Sequence, residues 1–466
     1  MDILLINPNS RRPDSVEELP LMTPPINLMY SAQSLNDNSF KTRIIDAFAL
    51  NMKEKQLLNE IKKQDSEIIG FPLYSSDLTM MYELTRKIKK LNENIKIFFA
   101  GHHTTALYNE VMQQFPNVDF LIRGEGEFTI VDLANALEKQ KNLKNIKGLS
   151  YRKNKRIIHN LDRPPIEDLD SVPIPSRELI DDKLYYSRMS KNKKVDILIT
   201  TRGCPYRCTF CSKLNDKFRG YRERSISNII NEMKLIEEKK TKGIEIYDEM
   251  FTLKRKRVLD LMAEMRKEKF DFEFRVRTRV THVDGELLHE LKKTGCSVIS
   301  YGVESGNQKI LDNIKKDITL PLVESVFKKT EQKDINILGF FMVGNRGETP
   351  ETIRDTINFA KKVNPLYAIF NVVQPFPGSI DYEEAKINHT LVGEYGPYKP
   401  MPWLKLPWIK DFNTLYKYSN MALNEFYKRP RYLSKFVTTT IRQGNWNLLE
   451  YTMKNFYKKL TSITPL

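Results

Sequence analysis

Thr201-Arg-Gly-Cys204-Pro-Tyr-Arg-Cys208-Thr-Phe-Cys211-Ser212 decides the reading of this chain. Its three cysteines stand in a C-x3-C-x2-C spacing, directly after the apolar, β-branched run Val195-Asp-Ile-Leu-Ile-Thr200. That order puts the thiols on the loop at the carboxyl end of a strand, where α/β folds carry their chemistry. Close-set soft thiolates suit an iron–sulfur cluster or zinc. A zinc site normally takes a fourth thiolate or imidazole. The one remaining cysteine, Cys296, is far away in an apolar segment of its own. Three ligands on a four-iron cluster leave one iron open to something else.

Downstream of the cysteines one pattern repeats. The segment from Lys213 to Arg224 reads as a polar, basic loop. Ser225 or Ser227 can cap a helix bearing Ile226, Ile229, Ile230, Met233 and Ile236. Ile244-Glu-Ile-Tyr247 reads as a second strand ending at Asp248-Glu249, and a helix with Val258, Leu261, Met262 and Met265 on one face follows. Phe272 to Val276, Ser297 to Val303, Ile335 to Val343 and Tyr367 to Val373 read as strands three to six. Thr349, Pro350 and Glu351 mark the start of the helix before the sixth. Eight such βα units would close a barrel; six give an open one, with its site at the carboxyl ends of the strands.

The cysteine spacing, with the aromatic Phe210 before the third thiol, resembles the radical S-adenosylmethionine (SAM) superfamily. The resemblance implies a 4Fe-4S cluster on Cys204, Cys208 and Cys211. Its open iron would chelate the amino and carboxylate groups of SAM, which one electron cleaves to a 5′-deoxyadenosyl radical. It also implies a partial (β/α)6 TIM barrel and a set of SAM contacts. Asp248 and Glu249 follow strand two, where the family meets the SAM amino group. Arg277 and Arg279 on strand three could pair with its carboxylate or with a neighbouring acid. Tyr301-Gly-Val-Glu304-Ser305-Gly306 resembles the G-V-E-S-G loop, which makes Glu304 the leading candidate for a side-chain contact. Gly344-Asn-Arg-Gly-Glu348 resembles the loop beside adenine, although Asn345 or Arg346 stands where the family usually has proline. Gln374-Pro-Phe-Pro-Gly378-Ser matches the loop after strand six.

In the N-terminal third, strand-like runs alternate with helical ones: Ile3 to Ile6, Thr42 to Ile45, Glu67 to Gly70, Ile95 to Ala100 and Asp119 to Ile122. A segment around Leu28 to Leu35 and the spacing of Leu78, Met81, Leu84, Ile88 and Leu91 read as helices. Such alternation means a parallel, flavodoxin- or Rossmann-like sheet with ligands at its carboxyl ends. The loops there resemble, in order, those of the cobalamin-binding domain upstream of many radical SAM enzymes. Asp46 and Pro24-Pro25-Ile26-Asn27-Leu28 match as well. On that resemblance Asn7, Tyr74, Gly101, His103, Thr104, Gly124 and Glu125 are cobalamin contacts, with His103 against the nucleotide tail and Tyr74 near the lower cobalt face. His102 reads as ordinary. The family's Gly-Gly-x-His loop has Ala100 for its first glycine, and no D-x-H-x-x-G motif offers cobalt a lower histidine ligand.

The expected organisation is residues 1–145 as the cobalamin-binding-like domain, 146–194 as a proline-broken surface linker, 195–385 as the radical SAM core and 386–466 as a small helical cap. In that last segment Trp403, Trp408 and Trp446 either form a core or close over substrate. Hydrophobic content of 40% and charged content of 29% are those of a globular protein. No apolar run is long enough for a membrane span. The N-terminus lacks a basic region and cleavage site, and the clustered cysteines suit a reducing compartment, so the expected location is cytoplasmic. The net charge of +16 is spread along the chain, which disfavours nucleic acid as a partner.

The chain is therefore expected to be a class B radical SAM methyltransferase-like enzyme. It would use a 4Fe-4S cluster, SAM and cobalamin on a small-molecule or natural-product substrate, with an electron donor such as flavodoxin or ferredoxin. Hydrogen abstraction, rearrangement or cyclisation with an empty first domain remains open, as does a non-enzymatic Fe–S scaffold. A methylthiotransferase would carry three more cysteines in the N-terminal third, and there are none.

Overall fold

The computed structural model describes residues 1–11, 21–154, 156–190, 194–212 and 220–452. Residues 213–219 of the expected basic loop and 453–466 of the expected cap lie outside the described residues.

The first sheet contains β1 (Asp2–Asn7), β2 (Lys41–Asp46), β3 (Ile68–Pro72), β4 (Lys96–Ala100), β5 (Phe120–Ile122), β6 (Leu149–Lys153) and β7 (Arg156–His159). They lie in the order β2-β1-β3-β4-β5-β6-β7. The first five are parallel, in the flavodoxin-like order 2-1-3-4-5, whose switch point lies between β1 and β3. Two apolar layers cover the two faces. One includes Leu84, Ile88 and Val111; the other includes Leu35, Ile130 and Leu133. The hairpin β6–β7 adds antiparallel strands to the edge. Residues expected to begin the linker therefore finish the first sheet.

The remaining junction is not loose. Ile166, Leu169 and Val172 bury against Ile26, Met29 and Tyr30 of the first domain and Ile197 of the second. Arg177 is buried between Asp196 at 3.2 Å and Glu232 at 2.6 Å. The proline breaks leave only short 3-10 turns and a two-residue strand, and the apolar residues between the prolines staple the two domains.

The second sheet is β8 (Val195–Leu198), β9 (Gly243–Ile246), β10 (Glu273–Thr278), β11 (Cys296–Glu304), β12 (Asn336–Val343) and β13 (Tyr367–Val372). They pair in sequence order, all parallel, as the six βα units require. The helices between them start where the sequence places them. The Ser225 hydroxyl accepts from Asn228 NH, and Thr349 caps the helix that opens at Pro350.

Six strands leave β13 as an open edge. Helix α1 (Phe412–Tyr427) of the C-terminal segment closes it. The Tyr427 hydroxyl accepts from Ala368 NH and donates to Ala368 C=O, both at 2.8 Å, and the Ser419 hydroxyl donates to Phe370 C=O at 2.6 Å. Covering an edge this way satisfies donors that would otherwise recruit another strand. Leu415, Ala422 and Phe426 join the second core. Trp403 and Trp408 pack against that core, whereas Trp446 is exposed, so only part of the aromatic tail is core and edge cover.

Candidate active site

The cysteine loop is anchored before its first thiol. Asp248, just past β9, is fully buried. Its carboxylate accepts from the backbone NH groups of Thr200 and Thr201 at 2.7 and 3.1 Å, and from the Thr200 hydroxyl. Burial raises its pKa against the pull of these bonds. Asp248 is expected near the SAM ammonium through its backbone or its carboxylate; in the structure both carboxylate oxygens hold the turn that launches the loop. Glu249 accepts from Gly203 NH at 3.2 Å, one residue before Cys204.

Cys208 is buried, and Cys204 and Cys211 are half-buried. Cys211 NH donates to Cys208 C=O at 3.1 Å. Thr209 NH donates to Ile314 C=O at 3.0 Å, and its hydroxyl donates to Asp381 at 3.1 Å. The loop is therefore pinned to the segments that follow β11 and β13. Cys296 belongs elsewhere: it is buried at the start of β11, and burial pushes its thiol up to about 12.

Charged side chains from neighbouring strand ends converge on this loop. Arg279 reaches from just beyond β10, donating to Cys208 Sγ at 3.4 Å and to Lys316 C=O, with its guanidinium 3.7 Å from the centre of the Tyr206 ring. Glu304 closes β11 in a left-handed conformation (φ 73°) and pairs with the buried Lys316 ammonium at 2.8 Å. Lys316 also lies 5.8 Å from the centre of the Phe210 ring. Arg277 stacks on Tyr247 at 4.0 Å. Ser305, expected as a SAM contact, is fully buried, and its hydroxyl bonds Thr356 at 3.1 Å and accepts from Asn307 NH at 3.2 Å. Gly344 has φ 98°, and a Cβ there would approach Leu415 to 2.8 Å, so its backbone sits directly under the cap helix. The Glu348 carboxylate accepts from Gly344 and Asn345 NH groups, and burial pushes it up to about 7.

At the carboxyl ends of the first sheet, Asp46, Arg123 and Glu125 each meet a partner within the protein, and neutral polar groups stand beside them. The Asn7 amide donates to Asp46 at 2.9 Å. His103 is buried, bonds Ser75 at 2.8 Å and meets Tyr395 edge-on at 5.5 Å; burial pushes it down to about 4, so the imidazole is neutral. Tyr74 stands half out of the surface. Gly101 takes φ 106° to open the short helix that carries His103. Gly124 NH donates to the Thr105 hydroxyl at 2.9 Å. Two more residues expected at cobalamin make contacts within the protein. The buried Thr104 hydroxyl donates to the C=O of Ala100, the last residue of β4, at 3.3 Å. Glu125 lies in the joint between the domains.

That joint ties the two sites together. Glu125 pairs with Arg222 at 2.8 Å and Arg202 at 3.4 Å, and accepts from Ile166 NH at 2.6 Å. Glu127 pairs with Arg202 at 2.6 Å. Burial pulls the Glu125 carboxyl upward, but the Arg222 bond and the Arg202 charge outweigh it and hold it ionised. Arg202 is two residues before Cys204. A first-sheet loop therefore grips the root of the cysteine loop.

The comparisons agree with this architecture. The Radical SAM superfamily model matches residues 198–360, and the B12 binding domain model matches residues 15–134. An uncharacterized methyltransferase of Pyrococcus horikoshii is 31% identical over 421 residues, 88% of this chain and 89% of the relative. The anaerobic magnesium-protoporphyrin IX monomethyl ester cyclase of Rubrivivax gelatinosus is 28% identical over 393 residues, 82% of this chain and 70% of that enzyme. Among solved structures, the radical S-adenosylmethionine methyltransferase TsrM of Kitasatospora setae shares the fold. Its TM-score is 0.73 at 17% identity, over 90% of this chain and 88% of that one. Fold and cysteine loop together define a radical SAM enzyme. Within that class, the chain belongs to the cobalamin-binding radical SAM family.

Among the described residues, no three His, Cys, Asp or Glu side chains stand preassembled around one metal position. The fit of a cluster therefore rests on donor chemistry: three thiols on one loop, with a buried guanidinium on the central one. Arg279 places positive charge beside that sulfur. The cobalamin loops offer small residues and neutral polar groups, which suit a large ligand held by shape and a few hydrogen bonds. Sequence reasoning missed Lys316, Arg202, Arg222 and Glu127. Lys316 is separated from Glu304 by a helical turn, and nothing in their spacing announces the pair. Arg202 could have been suspected, since a charge beside a buried strand end needs a partner.

Proposed function

We propose that this enzyme transfers a methyl group to an unactivated carbon of a small organic substrate. Cys204, Cys208 and Cys211 would hold the 4Fe-4S cluster, and the loops at Asn7, Tyr74, Gly101, His103 and Gly124 would hold cobalamin. When bound, the cluster supplies the electron that cleaves SAM, and cobalamin supplies the methyl carrier. The protein's own residues position and insulate. Glu304 and Lys316 present opposite charges beside Phe210, complementary to the ammonium and carboxylate of an amino acid. Asp248 and Glu249 fix the start of the cysteine loop.

The observation that carries the reading is the Glu125–Arg202–Glu127 joint, which couples a first-sheet loop to the root of the cysteine loop. An empty scaffold domain would not need so close a registration. A one-electron donor of the flavodoxin or ferredoxin class and a reducing, cytoplasmic setting complete the proposal. No helix among the described residues is long and apolar enough to cross a membrane. The similarity to a ring-forming cyclase supports a second reading, in which the same cofactors close a ring.

The test is anaerobic reconstitution with iron, sulfide and hydroxocobalamin, followed by desalting and metal counts. About four irons and one cobalt per chain are expected. Iron without cobalt would remove methyl transfer through cobalamin and leave hydrogen abstraction by SAM alone. Methyl-labelled SAM then separates methylation, which moves label into product, from ring closure, which does not.

A further inference from the structure

Seven arginines are buried in the described structure, and six of them pair with a carboxylate. Arg123 has Asp162, Arg177 has Asp196 and Glu232, and Arg222 has Glu125. Arg224 has Glu232, Arg257 has Glu223 and Arg275 has Glu245. Arg279 stands apart. Its partners among the described residues are the Cys208 thiol, the Lys316 carbonyl and the Tyr206 ring. Its Nε is buried and finds no acceptor there. An uncompensated cation inside a protein costs several kcal/mol. The cost is relieved if the group beside it carries negative charge, and the group beside it is the central thiol of the cysteine triplet.

We propose that Arg279 sets the electrical poise of the cluster. This inference rests on the assignment of the cluster to Cys204, Cys208 and Cys211. Arg279 donates a charge-assisted hydrogen bond to the Cys208 sulfur and supplies the positive charge that the thiolates and cluster lack. One electron from an external donor makes the cluster and its thiolates one unit more negative, and no bond is broken in that step. A fixed cation in a buried setting favours the more negative state, so Arg279 raises the reduction potential. Tyr206 on the cysteine loop and the Lys316 carbonyl, in the loop after the helix Gln308–Asn313, hold the guanidinium at this point. Arg279 is a positioning and tuning residue, since it acts through the cluster and not on substrate.

The test uses the reconstituted full-length protein without SAM, reduced stepwise with dithionite and mediators and followed by electron paramagnetic resonance. Arg279→Gln keeps hydrogen-bonding capacity and removes the charge. At the potential where half of the wild-type clusters are reduced, its ratio of reduced to oxidised cluster should be at least tenfold lower, which is 59 mV for one electron. Arg279→Lys, which restores the charge, should stay within about threefold of wild type on the same scale. Unchanged potential in an iron-loaded Arg279→Gln protein overturns the inference and leaves the cluster assignment standing. Loss of iron from both variants, with wild type loaded, also overturns it, since Arg279 would then be structural. A wild-type protein that takes up no iron overturns the inference together with the cluster assignment.

Discussion

At the carboxyl ends of the first sheet, polar groups bond one another: the Asn7 amide to Asp46, His103 to Ser75, and the Gly124 backbone NH to the Thr105 hydroxyl. At the same ends of the second sheet, Arg277, Arg279, Glu304 and Lys316 bring full charges to the edge of one cysteine loop. Both sheets are parallel and both put loops where such folds put ligands. The difference lies in what each must hold. A large, mostly neutral ligand is recognised by shape, so its cradle can be satisfied before the ligand arrives. A cluster and an amino-acid zwitterion are recognised by charge, so their site holds full charges: Glu304 and Lys316 offset each other, and Arg279 pairs with no carboxylate among the described residues. The C-terminal segment touches both regions: Tyr395 lies against His103, and the Trp408 indole donates to Glu348 C=O at 2.6 Å.

The largest effect that would sharpen this comparison comes from the thiols. Cys208→Ala should abolish iron uptake and 5′-deoxyadenosine formation while leaving cobalt uptake by the first domain in place. Cys296→Ser should leave the iron absorbance intact, because Cys296 sits in the core at the opposite end of its strand. Retained SAM cleavage in the first variant, or iron loss in the second, would mean that the ligand set is wrong.

Next is the joint. Glu125→Gln leaves Arg222 without its carboxylate and Arg202 with only Glu127. Removing one member of a buried ion pair costs about 3–5 kcal/mol. Urea unfolding should then show a new early step, as the first domain comes away before the second melts. A single transition at the wild-type midpoint would show that the domains are held by the apolar staple around Ile166, Leu169 and Val172 alone.

The elements of both sheets were legible because their apolar runs are short, β-branched and regularly spaced, and Ser225 and Thr349 announce their helices. The hairpin at 149–159 falls in the stretch expected to open the linker, and its second strand carries too little apolar signal to be seen without the sheet edge it joins. In the site, the cysteines were legible as a local motif. A polar residue at a strand end looks the same whether it faces a ligand or a backbone NH, so the contacts that Asp248, Ser305, Thr104 and Glu125 make within the protein were not legible. Only the neighbouring chain decides, and Thr200, Thr356, Ala100 and Arg222 are those neighbours. Lys316 was illegible for the same reason: its role depends on a fold-level meeting with Glu304.

The smallest net effect is also the most direct test of the contrast between the two regions. His103 is kept neutral, with its pKa pushed down to about 4. Once unfolded it binds a proton near pH 6.5. Between those values the unfolded chain holds the extra proton, so stability falls as pH drops, by about 3 kcal/mol in all. Glu348 has the opposite sign. The folded protein keeps its proton up to about 7, whereas the unfolded chain releases it near 4.5. Between those values the folded state holds the extra proton, so stability falls as pH rises, again by about 3 kcal/mol. In the wild type the two slopes oppose each other from about pH 4.5 to 6.5 and largely cancel. His103→Gln should expose the second domain's slope, with stability declining toward neutral pH. Glu348→Gln should expose the first domain's slope, with stability declining toward acid. Urea midpoints across that range read both directly. Parallel curves for the two variants would mean that neither group is buried as described, and the C-terminal aromatics would lose their assignment as covers over His103 and Glu348.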